Sequence, residues 1–308
     1  MTNTKTPVSN EDLSDDESNE LEPDNGERFG WAQRNIMLTI AYDGSNYRGW
    51  QVQPNGVSVQ ACVEAAVEKL TGERQRVYCA GRTDAGVHAL GQVANFPTNS
   101  NIPIANIRRG LQTFLPYDIV IVSAKEVSKS FHATYSAVRK RYRYVIHDGD
   151  VCPPFLKNFV QRSLYQLDVD QMARAAEFLL GTHDFRCFES KFPNKSTSVR
   201  TIMDVSVKRM SCWMPWTTPH LWIAVPGRHH ENPDQPFIVF EVMADGFLYN
   251  MVRAIVGTLT EIGRRRQTPQ SMADAIRSMD RSQAGMTALP NGLYLVSVDY
   301  PEFLNGNL

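Results

Sequence analysis

Short runs of strict polar–apolar alternation recur along the chain, and they constrain its fold more than any other feature. In "NIMLTIAYDG" (35–44), Ile36, Leu38, Ile40 and Tyr42 fall on one face and an Asp-Gly turn follows, which predicts a strand. "RVYCA" (76–80), "GQVANF" (91–96), "YDIVIVSAKEV" (117–127), the end of "FHATYSAVRKRYRYVIH" (131–147), "TIMDVSVKRM" (201–210), "FIVFEVMA" (237–244) and "GLYLVSVDY" (292–300) read as further strands. Fewer segments have helical spacing. "SVQACVEAAVEKLTG" (58–72) has Ser58 placed as N-cap and Gly72 just past its end. "DVDQMARAAEFLLG" (168–181) turns Met172, Ala176 and Leu179 inward and stops at Gly181. In "FLYNMVRAIVGTLTEIG" (247–263), Leu248, Met251, Val252, Ile255, Val256, Leu259 and Ile262 form one stripe, and Arg264–Arg266 stand where positive charge favours a helix C-terminus. "TPQSMADAIRSMD" (268–280) is a further helix. Helices and strands do not alternate one for one, so a regular βαβ series is excluded. The expectation is α+β with a largely antiparallel sheet.

Composition narrows the class. Of 308 residues, 42% are hydrophobic, enough for a real core. No apolar run approaches the ~20 residues of a membrane span, and no basic-then-apolar leader is visible at the N-terminus. Five cysteines stand at 62, 79, 152, 187 and 212 without a CxxC pair, and an odd count suits a reducing compartment. The expectation is a cytoplasmic protein without a structural metal. The net charge of -1 conceals an asymmetry. Residues 1–30 carry nine acids and two bases, which leaves 24 acids and 30 bases in residues 31–308. The body is therefore basic and admits a polyanionic partner. The acidic segment 1–30 is expected to be disordered, either as a solvated extension or as an arm that competes for a basic surface. "SCWMPWTTPHLWIAVPGRHHENPDQP" (211–236) reads as a long surface insertion. Its His229 and His230 have no Cys or His partners at metal spacing.

"CAGRTDAGVHA" (79–89) sets a single carboxylate, Asp84, among small residues, with Arg82 two positions before it and Gly86 two positions after. A desolvated, oriented carboxylate attacks electrophilic carbon well, and a nearby guanidinium favours its ionised form. Gly81 and Gly86 allow unusual backbone conformations and the approach of a flat substrate. The same pattern also fits a turn in which Asp84 only caps backbone N–H groups. Tyr142 and Tyr144 share a strand face, flanked by Arg139, Lys140, Arg141 and Arg143. Interleaved aromatic and basic residues suit base stacking with phosphates held by charge. They equally suit an aromatic core face backed by a solvated basic one. Arg253 lies at the edge of the apolar stripe of 247–263 and needs a carboxylate partner. That partner is Asp84, or one of Glu241, Asp245 and Glu261.

"AGRTDAGVHA" resembles the signature of the bacterial tRNA pseudouridine synthase A family. "AYDGSNYRGWQ", "FHATYSAVRKRYRY", "FLYNMVRAIVGTLTEIG" and "GLYLVSVDYP" are similar to further family segments, in family order across roughly residues 34–301. The resemblance implies the pseudouridine synthase fold, two α/β subdomains with a mixed, largely antiparallel sheet around a central basic cleft. Their boundaries here would be 31–134 and 135–308. It implies that Asp84 is the catalytic nucleophile. It further implies that Tyr142 packs on the target base and serves as a base, and that Arg253 pairs with the carboxylate. Leu293 would close the pocket, and Arg82 would help hold the flipped nucleotide. The implied reaction is isomerisation of uridine to pseudouridine in the anticodon arm of tRNA, at positions 38, 39 and 40. A homodimer and no cofactor or metal are implied.

Segments 1–30 and 211–236 depart from the family pattern. A non-catalytic RNA-binding or RNA-folding protein on the same scaffold is the alternative, and it would not need Asp84. A nucleoside-cleaving glycosidase would need a second carboxylate near the first, and residues 79–89 hold none. No GxGxxG or P-loop spacing occurs.

Overall fold

The computed structural model describes residues 32–190, 197–212 and 235–301. The expectations for 1–30 and for nearly all of 211–236, His229 and His230 included, lie outside the described residues. In chain order the elements are β1 (Arg34–Tyr42), α1 (Val59–Thr71), β2 (Tyr78–Cys79), β3 (His88–Thr98), α2 (Ile104–Phe114), β4 (Ile119–Val127), β5 (Arg139–His147), β6 (Gln161–Arg162), α3 (Val169–Glu177), β7 (Gly181–Asp184), β8 (Val199–Met210), β9 (Phe237–Ala244), α4 (Met251–Gly263), α5 (Gln270–Ser278) and β10 (Leu293–Asp299). The fold is α+β, as the alternation pattern predicts. Among the described residues no helix is long and apolar enough to cross a membrane.

One mixed, open sheet runs in the order β4-β1-β3-β10-β5-β9-β8-β7, with β2 on β3 and β6 on β5. Most pairs are antiparallel. The exceptions are β10 beside β3, where Tyr294 faces His88, and β6 beside β5. The last strand in sequence thus lies between the N-terminal strands and β5. This order decides where the site sits. It puts the start of β3, the start of β10 and the middle of β5 next to one another, with Leu295 opposite Tyr142 and Leu293 opposite Tyr144.

The helices and one sheet face close around a single large core containing Ile36, Leu38, Ile40, Val63, Val67, Phe240, Ile255 and Leu259. Smaller apolar clusters cover the opposite face, around Phe131 on the β1–β3 side and around Val160 and Tyr294 on the β5–β9 side. Burial of this kind contributes about 25 cal/mol per Å² and dominates the favourable side of folding.

Local chemistry explains the element ends. Ser58 Oγ accepts from the Ala61 N–H at 3.3 Å, and Gly72 takes the left-handed conformation (φ 75°) that ends α1. α4 begins later than the stripe predicts. Asn250 takes φ 61° and breaks the spiral, so Leu248 joins the core from the preceding turn. α2 escapes the sequence reading although Ile104, Ile107 and Leu111 turn toward the core at helical spacing; its N-cap, Pro103, makes no side-chain bond, so no capping residue marks its start.

Candidate active site

The loop between β2 and β3 looks bare in sequence, yet neighbours hold it at almost every residue. The Ala80 N–H donates to the Val93 carbonyl at 2.8 Å, and the Ala80 carbonyl accepts from Lys140 Nζ at 2.6 Å. Gln92 Nε2 donates to the Gly81 carbonyl at 2.7 Å. The Trp50 N–H donates to the Thr83 carbonyl at 3.0 Å, and the Val87 N–H donates to the Asp84 carbonyl at 3.1 Å. Gly86 has φ 78°, and a Cβ there would stand 3.1 Å from the Pro290 ring, so it meets both a conformational and a steric demand. Gly81 has no positive φ. Its missing side chain leaves room for the Lys140 ammonium instead, 3.4 Å from where a Cβ would be.

Arg253 Nη1 donates to Asp84 Oδ2 at 2.9 Å, across 169 residues of sequence. The pair is partly buried, with side-chain exposures of 17% for the arginine and 25% for the aspartate. A partner inside the site, and not Arg82, therefore supplies the cation. Arg82 is exposed, and no described carboxylate pairs with it. Arg253 is itself fixed twice more. Its Nη1 donates to Asn250 Oδ1 at 2.7 Å, and its Nε donates to the Ala288 carbonyl at 2.8 Å. The other acids are engaged elsewhere: Glu241 with Arg143, Glu261 with Arg264 and Arg266, and Asp245 with the Thr201 N–H. The turn-capping alternative for Asp84 fails, since among the described residues its carboxylate accepts from Arg253 alone.

Tyr142 is buried against Phe247, edge to face with ring centroids 5.0 Å apart. Among the described residues its hydroxyl has no hydrogen-bond partner. Burial raises its pKa well above the ordinary phenol value, and Tyr42, Asp84 and Cys79 add to the effect. Leu293 is buried at the start of β10.

The ladder of tyrosines and bases on β5 behaves otherwise than the stacking reading expects. Tyr144 is fully buried, and its single hydroxyl proton is shared between Gln161 Oε1 and the Leu289 carbonyl, both within hydrogen-bond distance, so it offers no face to a base. Arg143 is fully buried on Glu241, 2.6 Å away. Arg141 pairs with Asp204 and Arg139 with Asp299. The basic face is thus only partly solvated, with Arg139 half exposed and Arg143 wholly buried. It is balanced by acids on β8, β9 and β10, because this strand lies in the middle of the sheet.

Sequence reading missed the residues that anchor the pair and the loop: Asn250, Ala288, Trp50, Tyr42 and Gln92. Asn250 alone carried a signal, as a polar residue inside an apolar helical run. A surface depression of about 730 Å³ lies elsewhere, between the start of α3 and β8. Two of its charged residues are already engaged, Asp168 with Arg265 and Arg209 with Asp148.

A carboxylate with one oxygen held by a guanidinium, near a phenol that burial keeps protonated, suits nucleophilic or proton-transfer chemistry on a flat heterocycle. Residues 38–136 and 175–301 match the family model described as tRNA pseudouridine synthase. The chain is similar to "tRNA pseudouridine synthase A" of Thermoanaerobacter sp. (strain X514), 42% identical over 87% of this chain and 100% of that one. It is 45% identical to the protein of that name in Acetivibrio thermocellus, with the same coverage. It is 43% identical to that of Moorella thermoacetica over 86% of this chain and 99% of that one.

Proposed function

The chain belongs to the tRNA pseudouridine synthase family, and from that premise we propose that Asp84 drives the isomerisation of uridine to pseudouridine in the anticodon arm of tRNA, at positions 38, 39 and 40. The enzyme is an isomerase. The N1–C1′ bond of the uridine breaks, the uracil turns, C5 bonds to C1′, C5 loses its proton and N1 gains one. The product has the atoms of the substrate, so no co-reactant is consumed. The observation that carries the assignment is the 2.9 Å contact between Asp84 and Arg253. Attack on C1′, attack on C6 and proton abstraction each need a carboxylate steered by a cation, and this pair supplies that arrangement.

Tyr142 packs on the uracil. Because its phenol is held protonated, it enters the reaction as a neutral hydroxyl and hydrogen-bond donor, not as a preformed base. Leu293 bounds the pocket, and Arg82, exposed and unpaired among the described residues, contacts the RNA backbone or the displaced base. Reaching a stacked uridine requires flipping it out, at a cost of ~a few kcal/mol. Phosphate contacts from a basic cleft offset that cost. We read residues 31–134 and 135–308 as two subdomains sharing the sheet, and the working unit as a homodimer.

The test uses unmodified tRNA transcript with wild type and Asp84→Asn. Pseudouridine is mapped by chemical labelling and primer extension. Modification in the anticodon arm by wild type alone is the expected outcome. Tight binding with no modification by either protein would favour the RNA-binding alternative.

A further inference from the structure

Beneath the Asp84 loop lies a group of buried polar side chains to which the reaction above assigns no part. Tyr42 ends β1, and Thr83 immediately precedes Asp84. Both are buried, and their hydroxyls are 2.7 Å apart. Gln92, wholly buried on β3, holds the Gly81 carbonyl on the other side of Arg82. Thr83 is also gripped by its carbonyl, which accepts from the Trp50 N–H. Gly49 approaches the same carbonyl so closely that a Cβ there would lie 2.4 Å from it. The Tyr42 ring leans on Trp50, with centroids 6.0 Å apart, so the two grips brace each other.

Stability alone does not call for these hydroxyls. Replacing both partners of a buried hydrogen bond with apolar groups of the same shape is nearly neutral. A hydroxyl pair does add direction. It fixes the rotation of Thr83, one peptide from Asp84, in a way that a methyl pair cannot. Tyr42 also lies close enough to Tyr142 to bear on its phenol.

We infer that Tyr42 is a positioning residue for the isomerisation: through Thr83, its hydroxyl sets where the Asp84 carboxylate stands against Arg253. The inference rests on reading Asp84 as the reacting group. It predicts a loss in the chemical step, because a misplacement of ~1 Å costs about 10²-fold in rate.

The experiment measures kcat, KM for unmodified tRNA and melting temperature for wild type, Asp84→Asn, Tyr42→Phe, Thr83→Val, the double variant Tyr42→Phe/Thr83→Val, and Thr83→Ser. Each of Tyr42→Phe and Thr83→Val is expected to lower kcat by roughly 10- to 100-fold with KM within about twofold. The double variant should be no slower than Tyr42→Phe alone, since that change already removes the contact with Thr83, together with Tyr42's contact to Gln92. Thr83→Ser, which keeps the hydroxyl, should recover most of the rate. Losses that multiply, losses that follow melting temperature, failure of Tyr42→Phe to fold, or no recovery in Thr83→Ser would each overturn the inference. A full-rate Tyr42→Phe beside an inactive Asp84→Asn would overturn it alone. An inactive wild type would overturn it together with the isomerase reading.

Discussion

Arg253 shows how much one side chain carries. Its guanidinium donates to a carboxylate, a side-chain amide and a backbone carbonyl at once. Lysine keeps the charge but cannot reproduce that fork. Arg253→Lys is therefore expected to lower kcat by on the order of 10²-fold while tRNA affinity, measured by filter binding, stays within about twofold. A loss confined to affinity would contradict the pairing role. Asp43 gives a residue-scale prediction of another kind. Burial opposes its ionisation, but contacts with His88 at 3.1 Å and with Ser45 outweigh it and bring its pKa from 3.8 to about 2. The folded value is depressed, so its contribution is complete above pH 3.8 and fades as pH falls toward about 2. Asp43→Asn should flatten the fall in melting temperature across that window and leave the slope above it unchanged.

At the scale of elements, α4 is the most constrained. It is buried nearly all round, including Gly257 and Thr258 on the face away from the predicted stripe. A Cβ on Gly257 would lie 1.7 Å from the Met286 carbonyl, because the segment 284–288 runs directly across the helix. That segment delivers the Ala288 carbonyl to Arg253. Gly257→Ala should therefore destabilise by at least the ~1–3 kcal/mol of overpacking. It should also slow catalysis by shifting Ala288. Thermal melts and kcat measured together check both, and an unchanged melting temperature would show that the contact yields freely. The elements themselves were largely legible. Nearly all of the long strands and four of the five described helices follow from period alone, because their apolar faces are wide. β6 and β7 span two and four residues, all polar or glycine, so neither offers an apolar face for period to register. α2 was not read, since a proline precedes it and no capping side chain marks its start.

For the whole molecule, charge is the quantity that matters to a nucleic-acid partner. Residues 31–308 hold 30 bases against 24 acids, and several of those bases are tied up inside the sheet. Binding by the remaining exposed cations should release counterions. If six or more phosphates are engaged, tRNA affinity is expected to fall by roughly 10³-fold between ~50 and ~200 mM salt. A titration with a flat slope would show that phosphates contribute little. The sheet order matters as much as the charge. With β10 between β3 and β5, Leu293 and Leu295 lie opposite Tyr144 and Tyr142, and α4 brings Arg253 to Asp84 from the helical layer.

The residues proposed to carry the chemistry stand out in the chain because their types and spacing are local properties. An acid in a glycine-rich turn, a tyrosine on an alternating strand and an arginine at the edge of an apolar stripe each stand out within a dozen residues. Alternation and helical period are local too, so the α+β class followed. Pairing is not local. Whether Arg253 met Asp84 or Glu261, whether Tyr144 faced a base or Gln161, and whether Arg143 met solvent or Glu241 depended on which strands became neighbours. Only the tertiary structure decided that, because burial of the shared apolar core selects the strand order, and the polar side chains must then find partners within the order it imposes.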